Sequence, residues 1–87
     1  MLRPVKLYMV ISMLNLFSKR LKELRLSKGL KQTDLAKILE MSERGYRRWE
    51  LSDTEPNLDK LIFLANYFNV STDYLLGRTN DPTFNKK

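Results

Sequence analysis

Between positions 42 and 50 the sequence reads S-E-R-G-Y-R-R-W-E, which puts Arg44, Arg47 and Arg48 within five residues. Arginine is the side chain whose planar fork pairs in bidentate fashion with guanine O6 and N7 and with phosphate oxygens. If the stretch is helical with Tyr46, Trp49 and Glu50 turned inward, then Glu43, Arg44, Arg47 and Arg48 face outward. Three arginines on one and a half turns make a strong local anion site. Such a cluster taken alone also describes an ordinary solvated basic face, so its meaning depends on the elements that carry it.

Other chemistry is largely excluded. The chain has no His and no Cys. That removes disulfides, thiolate nucleophiles, imidazole bases and almost every zinc site. It also shows no glycine-rich phosphate loop and no evident pair of catalytic carboxylates. The expectation is therefore a protein that is not an enzyme, with no catalytic residue, no metal and no cofactor. Its 87 residues, 43% hydrophobic and 10% aromatic, suffice for one domain with a small core. Lys and Arg number 16 against 10 Asp and Glu, a net charge of +6. A basic balance of this size suggests an anionic partner, nucleic acid or a membrane surface. The charge is uneven: residues 1–31 hold eight basic residues and one acid, Glu23, whereas residues 51–77 hold Lys60 against Asp53, Glu55, Asp59 and Asp73. An anion-binding face should involve the N-terminal half.

The apolar stretch 7–17 has eleven residues, and a bilayer span needs about 20. No small-x-small cleavage site follows it, since Ser18-Lys19-Arg20 comes next. Neither a membrane helix nor a secretory leader is expected. Pro4 argues against helix at the start, and residues 5–11 have strand-like composition. From Ser18 the period changes to that of a helix: Phe17, Leu21 and Leu24 form a stripe, Ser18 is a candidate N-cap, and Gly29 suits a left-handed C-terminal position. The pattern predicts helices over about 18–28, 32–39 and 43–50, the third capped by Ser42. A fourth, capped by Asn57, carries the stripe Leu58, Leu61, Leu64, Ala65 and Phe68. A short fifth follows Ser71, with Leu75 and Leu76, and ends at Gly77. The fold class is all-α: a compact five-helix domain over 18–77, with an N-terminal extension over 1–17, strand-like or loose, and a flexible tail over 78–87. The second and third helices are joined by three residues, so they cross at a large angle. The third then projects where it can enter a major groove.

With that arrangement in place, residues 20–77 resemble the Cro/lambda-repressor-like (XRE) helix-turn-helix domain. The resemblance rests on RLKELRLSKGLKQTDLAKIL, MSERGYRRWE and PNLDKLIFLANYFNVSTDYLLG, with the spacing intact throughout. It implies a sequence-specific double-stranded DNA-binding transcriptional regulator, a repressor by expectation, acting as a homodimer on a pseudo-palindromic operator in the prokaryotic cytoplasm, at the nucleoid. Glu43, Arg44 and Arg48 match the base-reading positions, Glu43 either accepting from cytosine N4 or orienting a neighbouring arginine. Gln32, Thr33, Ser42 and Arg47 match positions that contact phosphate or flanking bases. Arg25 and Glu50 match a structural pair that fixes the recognition helix, supported by Tyr46 and Trp49.

The sequence departs from the family pattern in places. Glu40 stands where the inter-helix turn usually has Gly, so either a non-Gly residue is strained or the helix ends differently. Gly45 lies inside the recognition helix, either to let the backbone approach DNA or as tolerated drift. The loop 51–55 is acidic where the family often supplies a phosphate-binding base, which weakens the expected clamp. Residues 1–12 precede the family's usual start. Leu26, Ile38 and Phe63 lie off the core stripes, and form a candidate surface for residues 5–11 or for a second protomer. Regulation is expected through concentration, a regulatory protein partner or the tail. The alternative reading is a helical protein-interaction module of the same fold with weakened DNA binding.

Overall fold

The computed structural model describes residues 4–83, with side chains from Ser12 onward. Five helices follow one another: α1 (Pro4–Ser27), α2 (Gln32–Ile38), α3 (Glu43–Glu50), α4 (Leu58–Phe68) and α5 (Thr72–Leu75). Every regular element among the described residues is helical.

The first helix differs from the sequence expectation. It starts at Pro4, not at Ser18, and residues 5–11 continue it instead of forming a strand. Proline is tolerated in the first turn of a helix, where its missing N–H would have no partner anyway. Extending an existing helix adds a hydrogen bond per residue, which outweighs the few tenths of a kcal/mol that Val or Ile concede to better helix formers. The side chains of residues 5–11 lie outside the described residues; Leu26, Ile38 and Phe63, the surface expected to receive them or a second protomer, are exposed. Ser18 is therefore not a cap. It sits mid-helix and buried, its hydroxyl within donating reach of the Leu14 carbonyl at 3.0 Å and of the Trp49 carbonyl at the end of α3. A serine bonding back to the carbonyl four residues earlier is the alternative to capping that this residue type always carries.

The other starts follow the sequence. Ser42 Oγ accepts from the Gly45 N–H, Asn57 Oδ1 from the Lys60 N–H, and Ser71 Oγ from the Tyr74 N–H. Each satisfies one of the amides that a helix N-terminus leaves orphaned. The ends share one device. All five helices close with a left-handed residue and a six-to-one backbone bond, at Gly29, Glu40, Ser52, Asn69 and Gly77. At the α2–α3 turn, Glu40 has φ +57°, its N–H donates to the Lys37 carbonyl, and the Met41 N–H donates to Ala36. The turn thus keeps the glycine geometry without the glycine, at a cost of roughly 1–2 kcal/mol.

The core is made by Phe17 and Leu21 of α1, Leu35, Ala36 and Leu39 at α2, Tyr46 and Trp49 of α3, Leu61, Leu64, Ala65 and Phe68 of α4, then Val70 and Leu75. Leu58, expected in the α4 stripe, is 74% exposed, because it opens the helix where the chain has not yet turned onto the core. The beginning of the tail is also held. Arg20 is buried, and its guanidinium donates to the Thr79 carbonyl at 2.7 Å, to Asn80 Oδ1 at 2.7 Å and to the Tyr74 carbonyl, while lying 4.1 Å from the centre of the Tyr74 ring. The Ser71 N–H donates to the Pro82 carbonyl. Residues 78–83 are therefore tied to the domain instead of forming a flexible tail; residues 84–87 lie outside the described residues.

Candidate nucleic-acid interface

Helix α3 is fixed from behind by one carboxylate. Glu50 accepts from Arg25 Nε at 2.7 Å and Arg25 Nη2 at 3.1 Å, from Gln32 Nε2 at 3.0 Å and from the Tyr46 hydroxyl. Arg25 Nη1 donates in addition to the Leu30 carbonyl. The side chains of Arg25 and Glu50 are 8% and 4% exposed, and no buried polar side-chain atom is left without a partner among the described residues. This network joins α1, α2 and α3 at a point inside the domain. Burial pushes the Glu50 carboxyl up, but the hydrogen bonds from Arg25, Tyr46 and Gln32 outweigh it and hold the group below the usual carboxylate range. The hydrogen bond to Glu50 raises the Arg25 guanidinium further, against the opposing effect of burial. Burial, reinforced by the bond to Glu50, pushes the Tyr46 phenol well above its ordinary value.

The opposite face of α3 is open. Tyr46 and Trp49 are buried, their rings 5.9 Å apart, so Glu43, Arg44, Arg47 and Arg48 are exposed together. Two of the arginines have carboxylate partners: Arg47 Nη2 lies 3.2 Å from Glu43 Oε2, and Arg48 Nε lies 3.0 Å from Asp53 Oδ2. Arg44 has none among the described residues. At the leading edge of the face, Ser42 is exposed, and Gln32 and Thr33 are half-buried in the first turn of α2. The structure thus brings Glu43, Arg44, Arg47, Arg48 and Ser42 onto one helix, and sets Gln32 against its base through Glu50. A Cβ at Gly45 would stand 3.1 Å from Ser42 Oγ and 3.3 Å from Met41 Cε, so a larger residue there requires these side chains to shift by a few tenths of an ångström.

Four residues of this framework carry no individual signal in the sequence. Arg20 reads as one more basic residue, although its partners lie more than fifty residues on. Ser18 and Ser52 read as caps or loop, yet their hydroxyls bond to each other at 2.9 Å and join α1 to the end of α3. Asp53 reads as part of an acidic loop; its pairing with Arg48 depends on the left-handed turn at Ser52.

Residues 21–75, more than half of the chain, match the family model described as helix-turn-helix. The chain belongs to the helix-turn-helix family. The matched span begins in α1 and runs to the end of α5, so the family unit includes the Glu50 network, the α2–α3 turn and the arginine face. Among named members, the chain is 42% identical over 65 residues to the SPbeta prophage-derived uncharacterized HTH-type transcriptional regulator YonR of Bacillus subtilis (strain 168), covering 75% of this chain and 60% of that protein. It is 42% identical over 60 residues to the HTH-type transcriptional regulator ImmR of the same organism, covering 69% of this chain and 47% of that one. It is 34% identical over 61 residues to repressor protein C2 of Salmonella phage P22, covering 70% of this chain and 28% of that one. The match therefore spans less than two thirds of each of these relatives, and lies in the helix-turn-helix unit. No helix among the described residues is long and apolar enough to cross a membrane, and no group of three or more metal-ligating side chains occurs among them.

Proposed function

We propose that this chain is a sequence-specific double-stranded DNA-binding transcriptional regulator, a repressor, that lays α3 in the major groove. The observation that carries the reading is the two-sidedness of α3: a buried network centred on Glu50 fixes one face, and the other presents Arg44, Arg47 and Arg48 to solvent. Glu43, Arg44 and Arg48 read base edges. Ser42, Thr33, Gln32 and Arg47 contact phosphates or flanking bases, with Ser42 and Gln32 at the two helix starts where backbone amides favour anions. Arg25, Glu50, Tyr46 and Trp49 hold the helix and do not touch DNA. The protein acts as a homodimer on a pseudo-palindromic operator with half-sites about one helical turn apart, in the cytoplasm at the nucleoid, and a regulatory protein partner adjusts its occupancy. The named relatives' regulatory roles support this assignment by similarity.

A second reading, a protein-interaction module of the same fold, draws on one observation: Glu43 and Asp53 offset the charge of two of the three arginines. Duplex selection from a random pool separates the two. The regulator enriches a two-fold site whose affinity falls steeply with salt, with a log–log slope of about −0.9 per neutralised phosphate. Enrichment of no duplex at low salt would overturn the regulator in favour of the module.

A further inference from the structure

We propose that Asp53 is a positioning residue for Arg48, holding its guanidinium by Nε so that the terminal Nη edge faces a guanine. This rests on the DNA-reading assignment above and deepens it.

An arginine offers two hydrogen-bonding edges, one along Nε and one across the two terminal nitrogens. Asp53 Oδ2 takes Nε at 3.0 Å, which leaves the terminal edge for the O6 and N7 acceptors of guanine. The position of Asp53 is built, not incidental. Its own N–H donates to the Arg48 carbonyl at 2.9 Å, and the preceding Ser52 N–H donates to the Trp49 carbonyl. Ser52 takes the left-handed conformation at φ +61°, and its hydroxyl donates to the buried Ser18 of α1. The carboxylate therefore hangs from the end of α3 on a turn pinned to α1. Arg47 differs, because Glu43 is its neighbour one turn back on the same helix, the common exposed pair that any helix surface forms.

In the free protein the pair is half-exposed, 50% and 57% for the two side chains, so it adds little stability. On DNA the same contact loses water and strengthens. Asp53 also brings a negative charge near the phosphates, which weakens binding to every duplex alike. The acidic loop thus trades general affinity for discrimination at one base pair.

The test measures binding of the wild type, Asp53→Asn and Asp53→Ala to the duplex selected by the wild type. It also uses duplexes substituted at the base pair where Arg48→Ala loses discrimination. Asp53→Asn removes the charge but keeps an oxygen that can accept from Nε; Asp53→Ala removes both. Both variants keep the backbone bonds of the turn, so melting temperatures should stay close to wild type. The expected result is that both bind non-specific duplex more tightly. Asp53→Ala alone loses about tenfold of the discrimination at the Arg48 base pair, with discrimination at the Arg44 base pair unchanged. Equal tightening of Asp53→Ala on selected and substituted duplexes overturns the proposal and leaves Asp53 a repulsive charge. So does an Arg48→Ala variant that loses discrimination nowhere. A wild type that enriches no duplex overturns the DNA reading itself, and this proposal with it.

Discussion

Replacing Arg25 by Ala tests the network behind α3 most sharply. The substitution deletes two hydrogen bonds to Glu50 and one to the Leu30 carbonyl, and leaves a carboxylate that is only 4% exposed with donors from Tyr46 and Gln32 but no counter-charge. Breaking a buried pair by removing one partner costs about 3–5 kcal/mol. The two remaining donors, and the option of taking up a proton, place this case near the lower end, about 3 kcal/mol. At about 4–8 °C per kcal/mol for a domain of this size, the melting temperature at pH 7 should fall by roughly 12–24 °C. A second signature is the direction of pH dependence. In the wild type the Glu50 carboxyl lies below its unfolded value, so the unfolded chain binds the extra proton and stability declines as pH falls below about 4.3. In Arg25→Ala burial acts with less opposition and raises the group, so its contribution improves as pH is lowered from 7 toward 5. Thermal unfolding followed by circular dichroism at pH 7 and pH 5 reads both effects. A fall of less than about 5 °C at pH 7, or the same change between the two pH values in both proteins, would refute the reasoning.

Other expectations follow from particular contacts. Glu50→Gln removes the depressed carboxyl and should flatten the loss of stability of the wild type below about pH 4.3, measured as melting temperature against pH. Glu40→Gly relieves a left-handed non-glycine residue at the α2–α3 turn and should stabilise by up to about 1 kcal/mol in urea titration, with an unchanged slope. Arg20→Ala frees the Tyr74 and Thr79 carbonyls and Asn80. Limited proteolysis should then cut within 78–83 well before the domain itself unfolds, whereas the wild type resists there.

Much of the domain is written locally, which is why α2 to α5 can be placed from residue types. Ser42, Asn57 and Ser71 each precede an apolar stripe at helical spacing, and each caps the helix it announces. The outward arginines follow from the same logic, since burying Tyr46 and Trp49 leaves Arg44, Arg47 and Arg48 no other side. What was not legible is what depends on partners distant in sequence. Ser18 has the chemistry of a cap and of a helix-to-helix link, and only the arrival of Trp49 and Ser52 chooses between them. Arg20 looks like field charge until the chain returns with Tyr74, Thr79 and Asn80. The start of α1 escapes the sequence because strand-like composition is a weak preference beside a helix already nucleated. The acidic loop looks only like a missing clamp, because nothing local says that a left-handed serine turns Asp53 back onto Arg48.

The proposed function stands most directly on whether the exposed face of α3 reads bases. The deciding measurement is the affinity of wild type and Arg44→Ala for the duplex enriched from a random pool and for its single-base-pair substitutions, at fixed salt. If the face reads bases, Arg44→Ala loses about 1–3 kcal/mol on the enriched duplex and becomes indifferent to the identity of one base pair in each half-site. An Arg44→Ala variant that binds as tightly and discriminates as well as the wild type at every position would contradict it.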